Sequence, residues 1–105
     1  MFTVDKLLFI LNKKIDYYEQ YNWLPDTERG MYTAFKHCKE YIEFLNNLDN
    51  DNPLPSLDSD KMFALKSDIL FRCQYYSSQD DINDFDFGIV LGMNKCFSLI
   101  IKLNL

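Results

Sequence analysis

The sequence predicts an all-α protein, an antiparallel four-helix bundle built from two pseudo-repeated helical hairpins. Three observations predict it. Apolar residues recur at steps of three and four in four segments, the spacing of one helical face, and no period-two alternation competes. Polar turns and one longer stretch containing Pro53 and Pro55 separate those segments. The sequence also matches itself, without a gap, at a step of 58 residues. Tyr17-Tyr18 falls on Tyr75-Tyr76, Asp26 on Asp84, Gly30 on Gly88, Cys38 on Cys96, Ile42 on Ile100 and Leu45 on Leu103. The 105 residues make one domain, with hairpin one over about 1–46, a linker over 47–59 and hairpin two over about 60–105.

The first helix is expected from about Phe2 to Glu19, with Val4, Leu7, Leu11, Ile15 and Tyr18 as its apolar stripe. Pro25-Asp26-Thr27-Glu28 starts the second, because proline and acids suit a first helical turn. Its stripe is Met31, Ala34, Phe35, Cys38, Ile42 and Leu45, ending near Asn46. The third helix is expected over about Asp60 to Tyr76, carrying Met62, Leu65, Ile69, Cys73 and Tyr76, which is the first stripe moved by the repeat step. Asn83, three residues before Asp86, signals a cap for a fourth helix running to about Leu103. The apolar residues of that helix nearly circle it, so it is expected to be central or covered by another chain. Gly30 and Gly88 stand four residues before Ala34 and Gly92, a small-residue groove that predicts a close crossing of helices two and four.

A net charge of −5 opposes direct nucleic-acid binding, which needs clustered lysine and arginine. The apolar tail is broken by Asn94, Lys95 and Lys102 and reads as a buried helix rather than a membrane span. Cys38, Cys73 and Cys96 are odd in number and lie on apolar faces, as buried free thiols of a reducing, cytoplasmic compartment would. With 2 alanines against many Asn, Asp, Lys, Ile, Phe and Tyr, the composition matches AT-rich codons, such as those of a low-GC bacterium or a phage infecting one.

Catalytic and metal-binding chemistry is poorly represented. His37 is the one histidine, and its neighbour Cys38 points about 100° away on a helix. The cysteines lack zinc-site spacing, and Asp49-Asn50-Asp51-Asn52 lacks the later residues of a calcium loop. No enzymatic activity and no cofactor are expected. Two other sets of residues invite a partner. Asp80, Asp81, Asp84 and Asp86 form an acidic loop, which doubles as helix-capping chemistry. Tyr17, Tyr21, Trp23 and Tyr75 lie off the stripes or in loops, as exposed anchors of a protein interface do.

Size, acidity and helix-hairpin pattern resemble those of small viral or mobile-element proteins and of some bacteriocin immunity proteins. That resemblance has no shared motif, so it assigns no residue a role. The expectation is a small acidic, non-catalytic protein-binding module, in concrete form a phage or mobile-element inhibitor of a host protein with a basic surface. The partner would be a defence or nucleic-acid-handling protein of the host cytoplasm. A homodimer through helix four is expected as well. The alternatives are a homo-oligomeric assembly protein and a small-ligand-binding helical protein.

Overall fold

The computed structural model describes residues 4–48 and 57–105, and in them four helices: α1 Val4–Glu19, α2 Asp26–Asn47, α3 Ser59–Ser77 and α4 Asp84–Lys102. No strand occurs among the described residues. The expected start at Phe2 and the linker with Asp49, Asp51 and both prolines lie outside them. Elsewhere the boundaries fall within about two residues of those the caps and periodicity signal. Asp58 caps α3, its side chain accepting from the Lys61 N–H at 2.8 Å.

The stripes face one core. Val4, Leu7, Leu11 and Ile15 of α1 are buried, and 58 residues on so are Met62, Leu65 and Ile69, with Cys73 half-buried. In α2 the buried set is Gly30, Ala34, Phe35, Cys38, Ile42 and Leu45. The same step lands on Gly88, Gly92, Met93, Cys96, Ile100 and Leu103, all buried. Each fully buried Leu, Ile or Phe contributes roughly 2 kcal/mol by leaving water.

α2 and α4 form the central pair and share the most extensive contact. They run parallel, since Gly30 meets Phe85 and Gly88, Ala34 meets Gly92, and the Cys38 Sγ lies 3.8 Å from the Met93 Sδ. The crossing needs glycine. A Cβ on Gly30 would run into the Phe85 carbonyl, and one on Gly88 into the Thr27 carbonyl. Thr27 and Phe85 are themselves one repeat step apart, so the two backbones meet reciprocally. A Cβ on Gly92 would stand 2.6 Å from that of Ala34.

α1 packs on α2, and α3 packs on α4 and reaches α2 through His37. The apolar girdle of α4 is therefore largely covered within the chain, leaving Phe87 and Ile101 about half exposed. The outer helix α3 exposes more, with Phe63 at 72% and Phe71 at 66%.

Candidate functional site

Two connections and the helix starts after them make up the candidate site. Residues 20–25 join α1 to α2, and residues 78–83 join α3 to α4. Because α2 and α4 run parallel and cross within their first two turns, both connections lie at one end of the bundle. Phe85 ties them together: its carbonyl backs onto Gly30, and its ring lies 5.3 Å from the Arg29 guanidinium.

Side chains close the end of each preceding helix. The Gln20 Nε2 donates to the Tyr17 carbonyl at 2.9 Å. In the second connection the Ser78 hydroxyl and the Gln79 Nε2 both donate to the Tyr75 carbonyl, each at 3.0 Å. The following helices start differently. The Asn83 side chain accepts from the Asp86 N–H at 2.7 Å, the cap the sequence signals. Pro25 makes no side-chain cap, and its carbonyl accepts from the Arg29 N–H at 2.9 Å.

The four aromatic candidates are exposed: Tyr17 53%, Tyr21 50%, Trp23 77% and Tyr75 55%. The Tyr17 ring meets Tyr18 edge-on at 5.2 Å and Tyr21 at 5.5 Å, and Tyr18 stacks on buried Phe35. Tyr17 and Tyr21 are thus tied to the core through Tyr18. Tyr75 stacks on Phe71 at 6.4 Å and meets Tyr76 edge-on. The Tyr32 hydroxyl donates to Glu19 at 2.8 Å. The pKa of Tyr17 is raised by its hydrogen bond with Tyr21, that of Tyr18 by burial and that of Tyr32 by its bond to Glu19. All three are neutral at neutral pH.

Asp80, Asp81 and Asp84 are exposed and Asp86 is half-buried. Glu19, Asp26 and Glu28 lie at the same end, where Arg29 is the one basic residue and sits 2.9 Å from Asp26. Seven acids against one arginine give this end −6, whereas the whole chain carries −5. The rest of the molecule is therefore close to neutral. Asp26, Glu28, Asp84 and Asp86 also stand in first helical turns, where an acid stabilises the helix dipole. Asp80 and Asp81 lie outside the helices.

Neither a protein-family model nor any curated protein or solved structure matches this chain. The geometry of its own residues carries the functional reading.

Two features escape sequence reasoning. Asp68 accepts from the Arg72 Nε, 3.2 Å from both carboxylate oxygens, and its Oδ2 lies 2.7 Å from the His37 Nε2. Only the i,i+4 spacing of Asp68 and Arg72 hinted at this cluster. Cys38 follows His37, but its thiol faces Met93, and its pKa is raised by a hydrogen bond with Cys96 and by burial. It is a protonated, inert thiol. The second feature is a groove of about 310 Å³, lined by Lys13, Lys14, Tyr17 and Tyr18 of α1, Met31 and Phe35 of α2 and Lys95 of α4. Its lysines are some 80 residues apart in the chain, so no local motif announces it.

Among the described residues, no three His, Cys, Asp or Glu side chains are placed to share a metal ion. The Asp49–Asn52 stretch lies outside the described residues. No described helix is long and apolar enough to cross a membrane.

Proposed function

We propose that the chain is a non-catalytic protein-binding module that docks through its loop end onto a partner with a basic surface. One observation carries the reading: the end that holds Trp23 and Tyr21 also holds the whole net charge of the molecule. Clustered charge steers encounter and exposed aromatics hold the complex, so one patch supplies both the rate and the lifetime of binding. In its concrete form the protein is a phage or mobile-element inhibitor of a host defence or nucleic-acid-handling protein. A basic, phosphate-binding surface is what such a partner offers. The free thiols Cys38, Cys73 and Cys96 fit a reducing host cytoplasm, and the AT-rich codon preference fits that source.

The test is affinity capture from a candidate host, followed by binding kinetics with the captured protein. Asp80→Asn with Asp81→Asn leaves the helix starts intact, and should slow association and flatten its salt dependence. Trp23→Ala should mainly speed dissociation, by roughly 2 kcal/mol if it is a central anchor. Unchanged kinetics in both folded variants would sink the loop end as the docking site.

A second reading concerns self-association, and the exposed edge shared by α3 and α4 favours it. Phe63 and Leu70 are seven residues apart on one side of α3, and Phe87 and Ile101 lie along one side of α4 with Asn94 between them. The Cys73 thiol and the Asn94 carboxamide, 3.6 Å apart, tie the two edges together. A two-fold dimer would use this apolar edge from both chains. It includes helix four but draws more of its surface from α3. Light scattering at high micromolar concentration should give twice 12.5 kDa, returning to 12.5 kDa in Phe63→Asp with Ile101→Glu. A wild-type mass of 12.5 kDa would end this reading.

A further inference from the structure

The two hairpins do not treat their grooves alike. On the α3 side, Arg72 and His37 converge on one carboxylate, that of Asp68. Moved by the repeat step of 58 residues, Arg72 corresponds to Lys14, and Lys95 corresponds to His37. Lys14 and Lys95 do line one groove. The residue corresponding to Asp68 is Ile10, partly buried against the core. Basic side chains stand at both positions, and the carboxylate between them is gone.

The charge goes beyond that exchange. Lys13 lines the same groove, and Lys102 joins Lys14, Lys95 and Ser98 around an adjoining recess of about 190 Å³. Among the described residues none of these four lysines has a carboxylate within ion-pairing distance. Lys14 Nζ instead lies 5.6 Å from the Phe35 ring centroid and Lys13 Nζ 5.3 Å from that of Phe9. Four lysines on one face of an acidic chain, none ion-paired among the described residues, are not explained by folding, because like charges brought together repel. The groove floor is apolar and aromatic, from Tyr18, Met31 and Phe35. At about 310 Å³ it is at the small end of ligand pockets.

We propose that the groove between α1 and α4 binds a small phosphate-bearing molecule of the nucleotide class. Its phosphates would take the place that Asp68 fills on the other side, held by Lys14 and Lys95. Its ring would lie over Tyr18 and Met31. More than one phosphate suits the site, since three or four lysines exceed what a single carboxylate balances. This site is separate from the acidic loop end and from the α3–α4 edge, so it stands or falls independently of both readings above.

The test is a titration of isotope-labelled protein, followed by NMR, with inorganic pyrophosphate and with ADP. Both should shift resonances of residues 10–18 and 92–102, and ADP should bind at least tenfold more tightly because pyrophosphate leaves the apolar floor uncovered. Ile10→Asp supplies the missing counter-ion and should weaken ADP binding at least tenfold. Lys14→Gln with Lys95→Gln, which leaves the core untouched, should do the same if Ile10→Asp does not fold. No shift at millimolar ligand, or equal affinity of the wild type and the Lys14/Lys95 variant, would overturn the site. Equal binding of pyrophosphate and ADP would overturn the nucleotide class.

Discussion

In hairpin one, Asp5, Asn12, Lys13, Arg29, Lys39 and Glu43 occupy positions that face outward or form the rim. In hairpin two, 58 residues on, the same positions hold Phe63, Leu70, Phe71, Phe87, Phe97 and Ile101. The buried positions match almost one for one across the same step. Burial fixes the fold, because each inward position must exclude water and fill its space. Nothing in the fold fixes the outward positions, so they are where the two hairpins differ. Hairpin one has exposed aromatics of its own, Phe9 and Phe44, set opposite Ser67 and Lys102. The difference therefore runs both ways, and hairpin one adds the exposed rings of Tyr17, Tyr21 and Trp23.

The sharpest way to break the comparison is at the crossing, where the two units are most alike. Gly30→Ala and Gly88→Ala each drive a methyl group into a backbone carbonyl of the other helix, which cannot move aside as a flexible side chain would. Each should cost about 3 kcal/mol, at the upper end of overpacking effects, and the two should match within about 1 kcal/mol. Urea unfolding of both variants reads this directly. A large loss at one glycine and none at the other would show that the crossing is not reciprocal.

Next in size is a difference buried beneath that crossing. The Cys38 thiol is raised above its ordinary value of 9.0 by the Cys96 thiol and by burial. A raised folded-state pKa gives stability that is present below pH 9 and is lost as pH rises, because the unfolded chain then releases a proton that the folded chain keeps. Unfolding free energy should fall above pH 9 by about 1.4 kcal/mol per pH unit for this group. Tyr18 and Tyr32, also raised, join the loss above pH 10. Cys38→Ala should remove one proton's worth of slope between pH 9 and 10 while lowering stability at neutral pH. Parallel pH profiles for the wild type and the variant would contradict the assignment to Cys38.

Much of this architecture was legible because its causes are local. Asn83 and Asp86 announce a helix start, the stripes announce inward faces, and glycine four residues before a small residue announces a close approach. What stayed hidden depends on placement in space. Nothing in residues 20–25 or 78–83 says that they share an end; the parallel crossing of α2 and α4 decides that. The apolar girdle of α4 announced a helix that is central or covered by another chain, but not which; α2 and α3 cover most of it, and Phe63 and Phe71 of α3 stay uncovered. The lysine groove needed α1 and α4 to come together. The absence of a counter-ion at Ile10 has meaning only beside Asp68, whose partner His37 lies on another helix.

The smallest expected effect comes from the two helix starts. Asn83 and Pro25 are one repeat step apart, and each precedes the first residue of its helix. Asn83 caps α4 through its side chain, so Asn83→Ala should cost about 1 kcal/mol. Pro25 has φ −55° and ψ 156°, an extended conformation that an N-cap asparagine also adopts. Pro25→Asn would therefore place a carboxamide oxygen within reach of the Glu28 N–H, as Asn83 does for Asp86. That bond is worth about 1 kcal/mol, but replacing proline frees the unfolded chain by about 0.4–1 kcal/mol. The two effects nearly cancel, and the net change in urea unfolding should stay within about 0.5 kcal/mol. A destabilisation above about 1 kcal/mol would mean that Pro25 holds its connection rigid in a way the second connection does not need. The two loops at this end of the bundle would then differ in stiffness as well as in charge, with Trp23 on the stiffer of the two.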